Sequence, residues 1–396
     1  MFPSLRPLAR QIWNFLLERS SEMALMSTHK FNMTSHPAIH VRLGPRSYPI
    51  LVGDGILTDS LIKHPLLSAQ TRRAFVITDS SVKTVAGRIA SRLGRRCAGL
   101  SALRGSESTK CLATLSSLYS SAARARLDRH SVVIAVGGGV IGDVAGFFAA
   151  TWLRGIAIVH VPTTLVAQVD SAIGGKTGVN LTNGKNLVGA FHQPSLVVVD
   201  PTTLRTLPDR EFRSGLAEVI KYSVIADAVL FEHLEHHLGK ILRRDLSELS
   251  WVIRRCCAIK ARVVSRDEYE TNGLRAILNF GHTMGHAIEA AARYTLLHGE
   301  AIAIGMVAAT RLSQKISGLS TFSAHRIFDL IRRAGLPTRL KRNLSFPSIL
   351  AAMKLDKKAV DGRIRFVLAR RIGSVQAGIP VSQHLIRKAV DGLKGV

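Results

Sequence analysis

Cysteine is scarce, with four in 396 residues. Cys97, Cys111, Cys256 and Cys257 form no Cys-x-x-Cys pair, which excludes a disulfide framework and fits a reducing compartment, the cytoplasm. Long apolar runs are missing too. Stretches such as Leu187–Val199 stop short of the roughly 18–20 uncharged residues that a membrane span needs. The 32 glycines and 13 prolines follow no period, which rules out collagen-like and low-complexity chains. Acids are few: 27 Asp and Glu stand against 54 Lys and Arg, a formal charge of +27.

With 46% hydrophobic residues the chain can bury a sizeable core and is no disordered polycation. Its length suits two or three domains. Arginine supplies 38 of the 54 basic residues. Arg pairs recur at 72–73, 95–96, 243–244, 254–255, 332–333 and 370–371, dispersed and not gathered in one tail. Such charge suits nucleic acid, but no nucleic-acid motif accompanies it, so it reads as a solvated basic surface. The expectation is no specific nucleic-acid partner and no membrane.

The first residues carry Arg6, Arg10, Glu18, Arg19, Glu22 and Lys30 without an apolar core and cleavage site, which argues against a secretory signal. Residues 1–36 read as an extension without fold or a misassigned start, Met26 and Met33 being internal candidates. An amphipathic organelle-targeting peptide is the alternative.

The fold is expected to begin near Ile39 with a β-hairpin. Ile39, Val41 and Leu43 alternate, as do Tyr48, Ile50 and Val52, around the turn Gly44–Ser47. Strands and helices then alternate: strands 74–78, 131–136, 156–161 and 195–199, helices 80–93, 107–127 and 140–153. That pattern implies a mostly parallel sheet covered by helices. After Pro208 the periodicity is helical over 210–225, 228–242, 246–266, 282–294, 300–317 and 323–334, with short strands at 364–369 and 375–378. The division is therefore 37–209, an α/β domain, and 210–396, a mostly helical one, with a ligand pocket expected between them.

Three constellations carry chemistry. Gly137-Gly138-Gly139-Val140-Ile141-Gly142-Asp143 follows a strand and opens a helix, where a backbone without side chains approaches a phosphate and the helix N-terminus favours the anion. It is not the Gly-x-Gly-x-x-Gly fingerprint, and such turns also serve tight packing. Pro162-Thr163-Thr164, Asp170, Gly174–Thr177 and Gly184-Lys185-Asn186 place hydroxyls, amides and cations at loop positions suited to a phosphorylated or carboxylated ligand. Glu218 and Lys221 share a helix face. Asn279, His282 and His286 are spaced to share another, and His298 opens a further helix. A carboxylate and two imidazoles from three helices make a zinc-type site with an open position. Most of the 15 histidines, including His233, His236 and His237, read as structural or exposed.

These motifs, in this order, resemble the 3-dehydroquinate synthase family. The resemblance runs through Gly137–Asn186, Gly215–Tyr222, Leu278–Ala287, Leu297–Glu300 and Asp356-Lys357-Lys358, and covers about residues 39–392. It implies an N-terminal Rossmann-like domain, a helical C-terminal domain, a homodimer, and NAD with one divalent metal, zinc or cobalt. It also implies a carbon–oxygen lyase. A phosphorylated seven-carbon keto acid is oxidised transiently, loses phosphate, is re-reduced, opens, and closes by an intramolecular aldol step to 3-dehydroquinate.

Carried over by position, the resemblance places Asp79, Glu107, Lys110, Gly138, Gly139, Val140, Asp143, Thr163, Thr164, Lys185, Thr206, Leu207 and Glu211 at the cofactor. Glu218, His282 and His298 become metal ligands. Asp170, Lys176, Asn186, Lys221, Lys260, Arg275, Asn279, His286 and Lys357 fall at substrate positions, with His286 a proton relay. Arg154 resembles an arginine that reaches a neighbouring subunit's substrate phosphate. Two stretches depart from the family pattern: Arg104-Gly105-Ser106 before Glu107, and Asp267-Glu268-Tyr269-Glu270. The rival readings are another sugar-phosphate cyclase and a metal-dependent NAD alcohol or glycerol dehydrogenase. The dense set of cations argues against the second.

Overall fold

The expected hairpin opens the fold: β1 (Ile39–Val41) pairs antiparallel with β2 (Tyr48–Val52), Ile39 opposite Ile50. The computed structural model describes residues 38–68, 72–340, 344–355, 359–360 and 363–394. The N-terminal extension and Lys357 lie outside the described residues. Next come β3 (Ala74–Asp79), β4 (Cys97–Leu103), β5 (Val132–Gly137), β6 (Ala157–Pro162), β7 (Lys176–Leu181), β8 (Gly184–Phe191) and β9 (Leu196–Val199). Seven of these form one sheet in the order β1-β2-β9-β6-β5-β3-β4, parallel at every junction except β1–β2.

The central strands read as unbroken apolar runs because both faces are covered, as parallel sheets require. Successive side chains alternate between two cores. Phe75, Ile77, Val133 and Ala135 join Leu115, Leu118, Val144 and Phe148 on one face. Val76, Val132, Ile134 and Val136 join Leu57, Leu61, Ala86 and Ile89 on the other. Each fully buried Leu, Ile or Val contributes about 1.5–3 kcal/mol.

The described residues pack into two compact units, Ala38–Leu216 with Gly239–Glu268, and Ala217–Leu238 with the described residues from Tyr269 on. Helix Leu246–Arg266 packs within the first, against β1 and the short helix Ala167–Ser171. The second is built on helices His282–Ala291, His298–Ile316, Thr321–Arg333, Phe346–Leu355 and Gln383–Asp391, with antiparallel strands Arg363–Arg371 and Ser374–Pro380 where the short late strands were expected. The architecture is thus a parallel α/β part with a mostly helical part. No described helix is long and apolar enough to cross a membrane.

Four local expectations are corrected. The helix expected over 107–127 is a 3-10 turn, Glu107–Thr109, then helix Leu112–Arg124, because Lys110 and Cys111 leave helical geometry. The segments around Gly174–Thr177 and Gly184–Asn186, read as loops, carry the hairpin β7–β8, so Lys176, Lys185 and Asn186 stand on strands. Asn279 does not share a helix with His282 and His286: it ends a 3-10 turn, Leu274–Asn279, and Gly281 at φ +79° separates it from helix His282–Ala291. Strand β4 and helices 57–63, 346–355 and 383–391 were not foreseen.

Candidate active site

In the helical unit, Glu218 stands on helix Asp209–Ala226, while His282 and His298 are each the first residue of a helix. Glu300 fixes the start of the second by accepting the Leu297 N–H at 2.9 Å. Glycine sets the spacing of the two histidine helices. A Cβ on Gly305 would lie 2.1 Å from the Gly281 carbonyl, and one on Gly285 would lie 3.0 Å from Ile302 Cα. With hydrogen alone at these points the backbones approach, and the His282 and His298 rings lie 5.5 Å apart.

Both imidazoles turn Nε2 toward one atom, Glu218 Oε1, at 3.5 Å for His282 and 3.3 Å for His298. Ligands about 2.0–2.2 Å from a tetrahedral zinc are separated from one another by roughly 3.3–3.5 Å. The oxygen and two nitrogens therefore fit a divalent ion that sits among them. The opposite ring edges are also engaged: His282 Nδ1 lies 3.2 Å from the Phe280 carbonyl and His298 Nδ1 lies 3.6 Å from Glu289 Oε2. Outer contacts of this kind set which nitrogen faces a metal.

Glu218 is wholly buried and Lys221 nearly so, and the Lys221 ammonium donates to Glu218 Oε2. Burial alone would drive His298 toward neutrality, but Glu218 and Glu289 on its two edges outweigh it and push its pKa up to about 10. Two carboxylates flanking one ring favour positive charge there. His286 stands beside the cluster, its ring 5.2 Å from His282 and 6.0 Å from His298. Arg275 is buried, with Nε 3.5 Å from Glu270 Oε1. Asn279 is half-buried at the end of its turn.

In the α/β unit, Gly137 ends β5 and Gly138 caps helix Gly139–Thr151, which carries Val140 and Asp143. Their φ values are not positive; close approach is what excludes a side chain. A Cβ at Gly137 would meet Ile141 at 2.7 Å, and at Gly138 and Gly139 it would meet Thr164 and Ser171 at 3.0 Å. Thr163 is tied in through its N–H to the Gly137 carbonyl, 3.0 Å.

Beside this turn lies a polar network. Lys110, almost fully buried, donates to Asp143 Oδ2 and to Asn186 Oδ1. Burial raises the Asp143 carboxyl, against the pull of the Lys110 charge. Asn180 donates to Glu107 Oε1 at 2.7 Å and accepts the Asn186 N–H at 2.9 Å, and Lys185 Nζ stands 3.8 Å from Glu107. Asn186 holds φ +56°, which asparagine tolerates better than most residues. On the same unit Lys260 donates to the Asp170 carboxylate and to its carbonyl, on a π-helical turn.

The remaining expected residues are placed singly. Asp79 caps the turn after β3 by accepting the Ser81 N–H at 2.9 Å, and Gly105 leaves room for its carboxylate. Thr206 lines a cavity of about 410 Å³ with Ser81, Arg88 and Thr203. Leu207 is buried, Glu211 is exposed in the first turn of its helix, and Lys176 is exposed at the start of β7. Arg154 is exposed at φ +69°, directly after Leu153 at φ +49°. Of the departing stretch, Glu268 pairs with Arg46 at 2.7 Å. Sequence reasoning missed Asn180 and Glu289. Glu289 was within reach of it, since it lies seven residues after His282 on one helix face.

Residues 100–214 match the 3-dehydroquinate synthase N-terminal family and residues 215–359 its C-terminal counterpart. A 3-dehydroquinate synthase from Symbiobacterium thermophilum is 46% identical over 89% of this chain and 100% of its own length. Two solved structures are 29% identical. One is a 2-epi-5-epi-valiolone synthase from Streptomyces hygroscopicus subsp. jinggangensis with NAD+ and Zn2+ bound (TM-score 0.79, 92% of this chain, 99% of that one). The other is a 2-deoxy-scyllo-inosose synthase with carbaglucose-6-phosphate, NAD+ and Co2+ (TM-score 0.81, 89% and 99%). Fold and clusters together define a sugar-phosphate cyclase. Within that class, the chain belongs to the 3-dehydroquinate synthase family.

Proposed function

We propose that the protein carries out its family's reaction, converting 3-deoxy-D-arabino-heptulosonate 7-phosphate to 3-dehydroquinate and phosphate with NAD and one divalent metal. The convergence of His282 and His298 Nε2 on Glu218 Oε1 carries this reading. When bound, the metal supplies Lewis-acid polarisation, and NAD takes up and returns a hydride within one turnover.

The chain's own residues do the rest by placement and charge. Glu218, His282 and His298 hold the ion, and Lys221 neutralises the oxygen that faces away from it. The Gly138–Val140 turn, Thr163, Thr164, Lys110 and Asp143 hold the dinucleotide, with Asp79, Glu107, Lys185, Thr206, Leu207 and Glu211 further contacts. Lys176, Lys260, Arg275 and Lys357 meet the substrate's phosphate and carboxylate, and Asp170, Asn186 and Asn279 bind its hydroxyls. His286 accepts and returns a proton at a ring nitrogen.

The same reading makes the protein a cytoplasmic homodimer in which Arg154 reaches the partner's phosphate. The four cysteines, none of them in a disulfide among the described residues, support the compartment. Exposed Leu181, Leu187 and Phe191 on the β7–β8 hairpin support a covered face there. Purified protein given the keto acid phosphate, NAD and Zn2+ or Co2+ should release phosphate and 3-dehydroquinate in equal amounts, without net NADH. Net NADH would instead indicate a dehydrogenase, and turnover of another sugar phosphate a different cyclase.

A further inference from the structure

One face of helix His282–Ala291 carries His282, His286 and Glu289, spaced i, i+4 and i+7. His298 lies along that stripe with its two ring nitrogens facing different acids: Nε2 lies 3.3 Å from Glu218 and Nδ1 lies 3.6 Å from Glu289. The donor atoms of His286, Glu289 and His298 all lie within 4.8 Å of one another, as do those of Glu218, His282 and His298. Two three-ligand sets thus share one imidazole.

We propose that His286, Glu289 and His298 form a second, weaker divalent-cation site, joined through the His298 ring to the Glu218–His282–His298 site, on whose metal reading the proposal rests. Two imidazoles and a carboxylate with an open position are a donor set that zinc accepts. The ring nitrogens of one imidazole diverge, so ions on its two edges would stand roughly 6 Å apart, given metal–nitrogen bonds of about 2.0–2.1 Å. Seating the second ion moves the Nδ1 proton of His298 to solvent. The Nδ1–H bond is the one bond broken, its electron pair passes to the ion, and the proton leaves to water.

The sites differ in setting. The first is built on a carboxylate with no exposure. The second draws on half-buried groups, with the His298 side chain 35% and that of Glu289 13% exposed, so its ion competes with water. It also takes up His286, so the second ion removes the proton relay and makes excess metal inhibitory.

The test titrates the metal-free full-length protein with Zn2+ and measures bound metal by equilibrium dialysis, for the wild type and for His286→Ala. The wild type should bind one equivalent tightly and a second at least tenfold more weakly, while His286→Ala keeps the tight step and loses the second. A parallel Co2+ titration should show the second equivalent shifting the visible bands of the first, since both ions share a ligand. That readout also holds should His286→Ala fold poorly. One wild-type equivalent at a hundredfold excess overturns the second site and leaves the first standing; none overturns both. A second equivalent that survives in His286→Ala and leaves the Co2+ bands unmoved belongs to surface histidines and also overturns the proposal.

Discussion

Lys221 meets the Glu218 carboxylate at Oε2, and His298 and His282 face its other oxygen at 3.3 and 3.5 Å. One buried carboxylate thus answers an ammonium on one side and two metal-type donors on the other. Removing its charge takes the carboxylate counter-charge from the buried Lys221 ammonium, and breaking a buried ion pair costs about 3–5 kcal/mol. Glu218→Gln should lose that much stability in urea unfolding and bind no zinc. Adding Lys221→Met should return much of the stability but none of the zinc. A double variant as unstable as the single one would show that the ion pair is not what the substitution breaks.

His282→Ala removes a ligand without stranding a charge. The protein should keep most of its fold and lose metal-dependent turnover. Wild-type activity that is equal with and without a chelator, or a variant that keeps the wild type's chelator-sensitive turnover, would argue against a metal at this cluster.

Glu289 stands 3.6 Å from His298 Nδ1, on the ring edge away from Glu218. Loss of such an outer partner typically lowers metal affinity about 10–100-fold. Competition against a chromophoric chelator should therefore find the tight zinc step of Glu289→Gln weakened within that range, with little change in thermal midpoint. A change under twofold would mean that the carboxylate does not set the ring.

Gly305 faces the Gly281 carbonyl so closely that a Cβ would lie 2.1 Å from it. Backbone cannot yield as a flexible side chain can, so Gly305→Ala should drive the two histidine helices apart. The expected cost is about 1–3 kcal/mol, as for other overpacked cores, together with weaker zinc binding. Unchanged unfolding and metal affinity would show that the helices can part without moving His282 and His298.

The meeting of Glu218, His282 and His298 was legible because the three sit in separate short motifs whose chemistry is explicit in residue type. Spacing failed at Asn279. A helical period assumes continuous helix, and Gly281, in left-handed geometry against Met306, ends one turn before another begins. The β7–β8 hairpin was hidden for a related reason. Gly178 and Gly189 sit opposite each other where a Cβ would strike the partner backbone, and they interrupt the alternation that marks a strand. Strand β4, Cys-Ala-Gly-Leu-Ser-Ala-Leu, holds no β-branched residue and is a strand through its pairing with β3. Asn180 could not be found by pattern, since its partners Glu107 and Asn186 meet it only once the hairpin folds.

His160 supplies a stability switch apart from the chemistry. It lies on β6, opposite Ala135 and Val197, and is buried. Desolvation, with a smaller contribution from the charge of His192, depresses its pKa to about 4 from 6.5. Between those values the unfolded chain binds the proton and the folded one does not, so stability falls as pH drops through that window and is flat above it. The ring should cost the fold about 2 kcal/mol between pH 7 and pH 5. His160→Gln should flatten that part of the profile, whatever its offset in absolute stability. Urea midpoints for both proteins at half-unit steps from pH 7.5 to 5 decide the matter, and parallel curves would show that His160 is not the group that loses stability in acid.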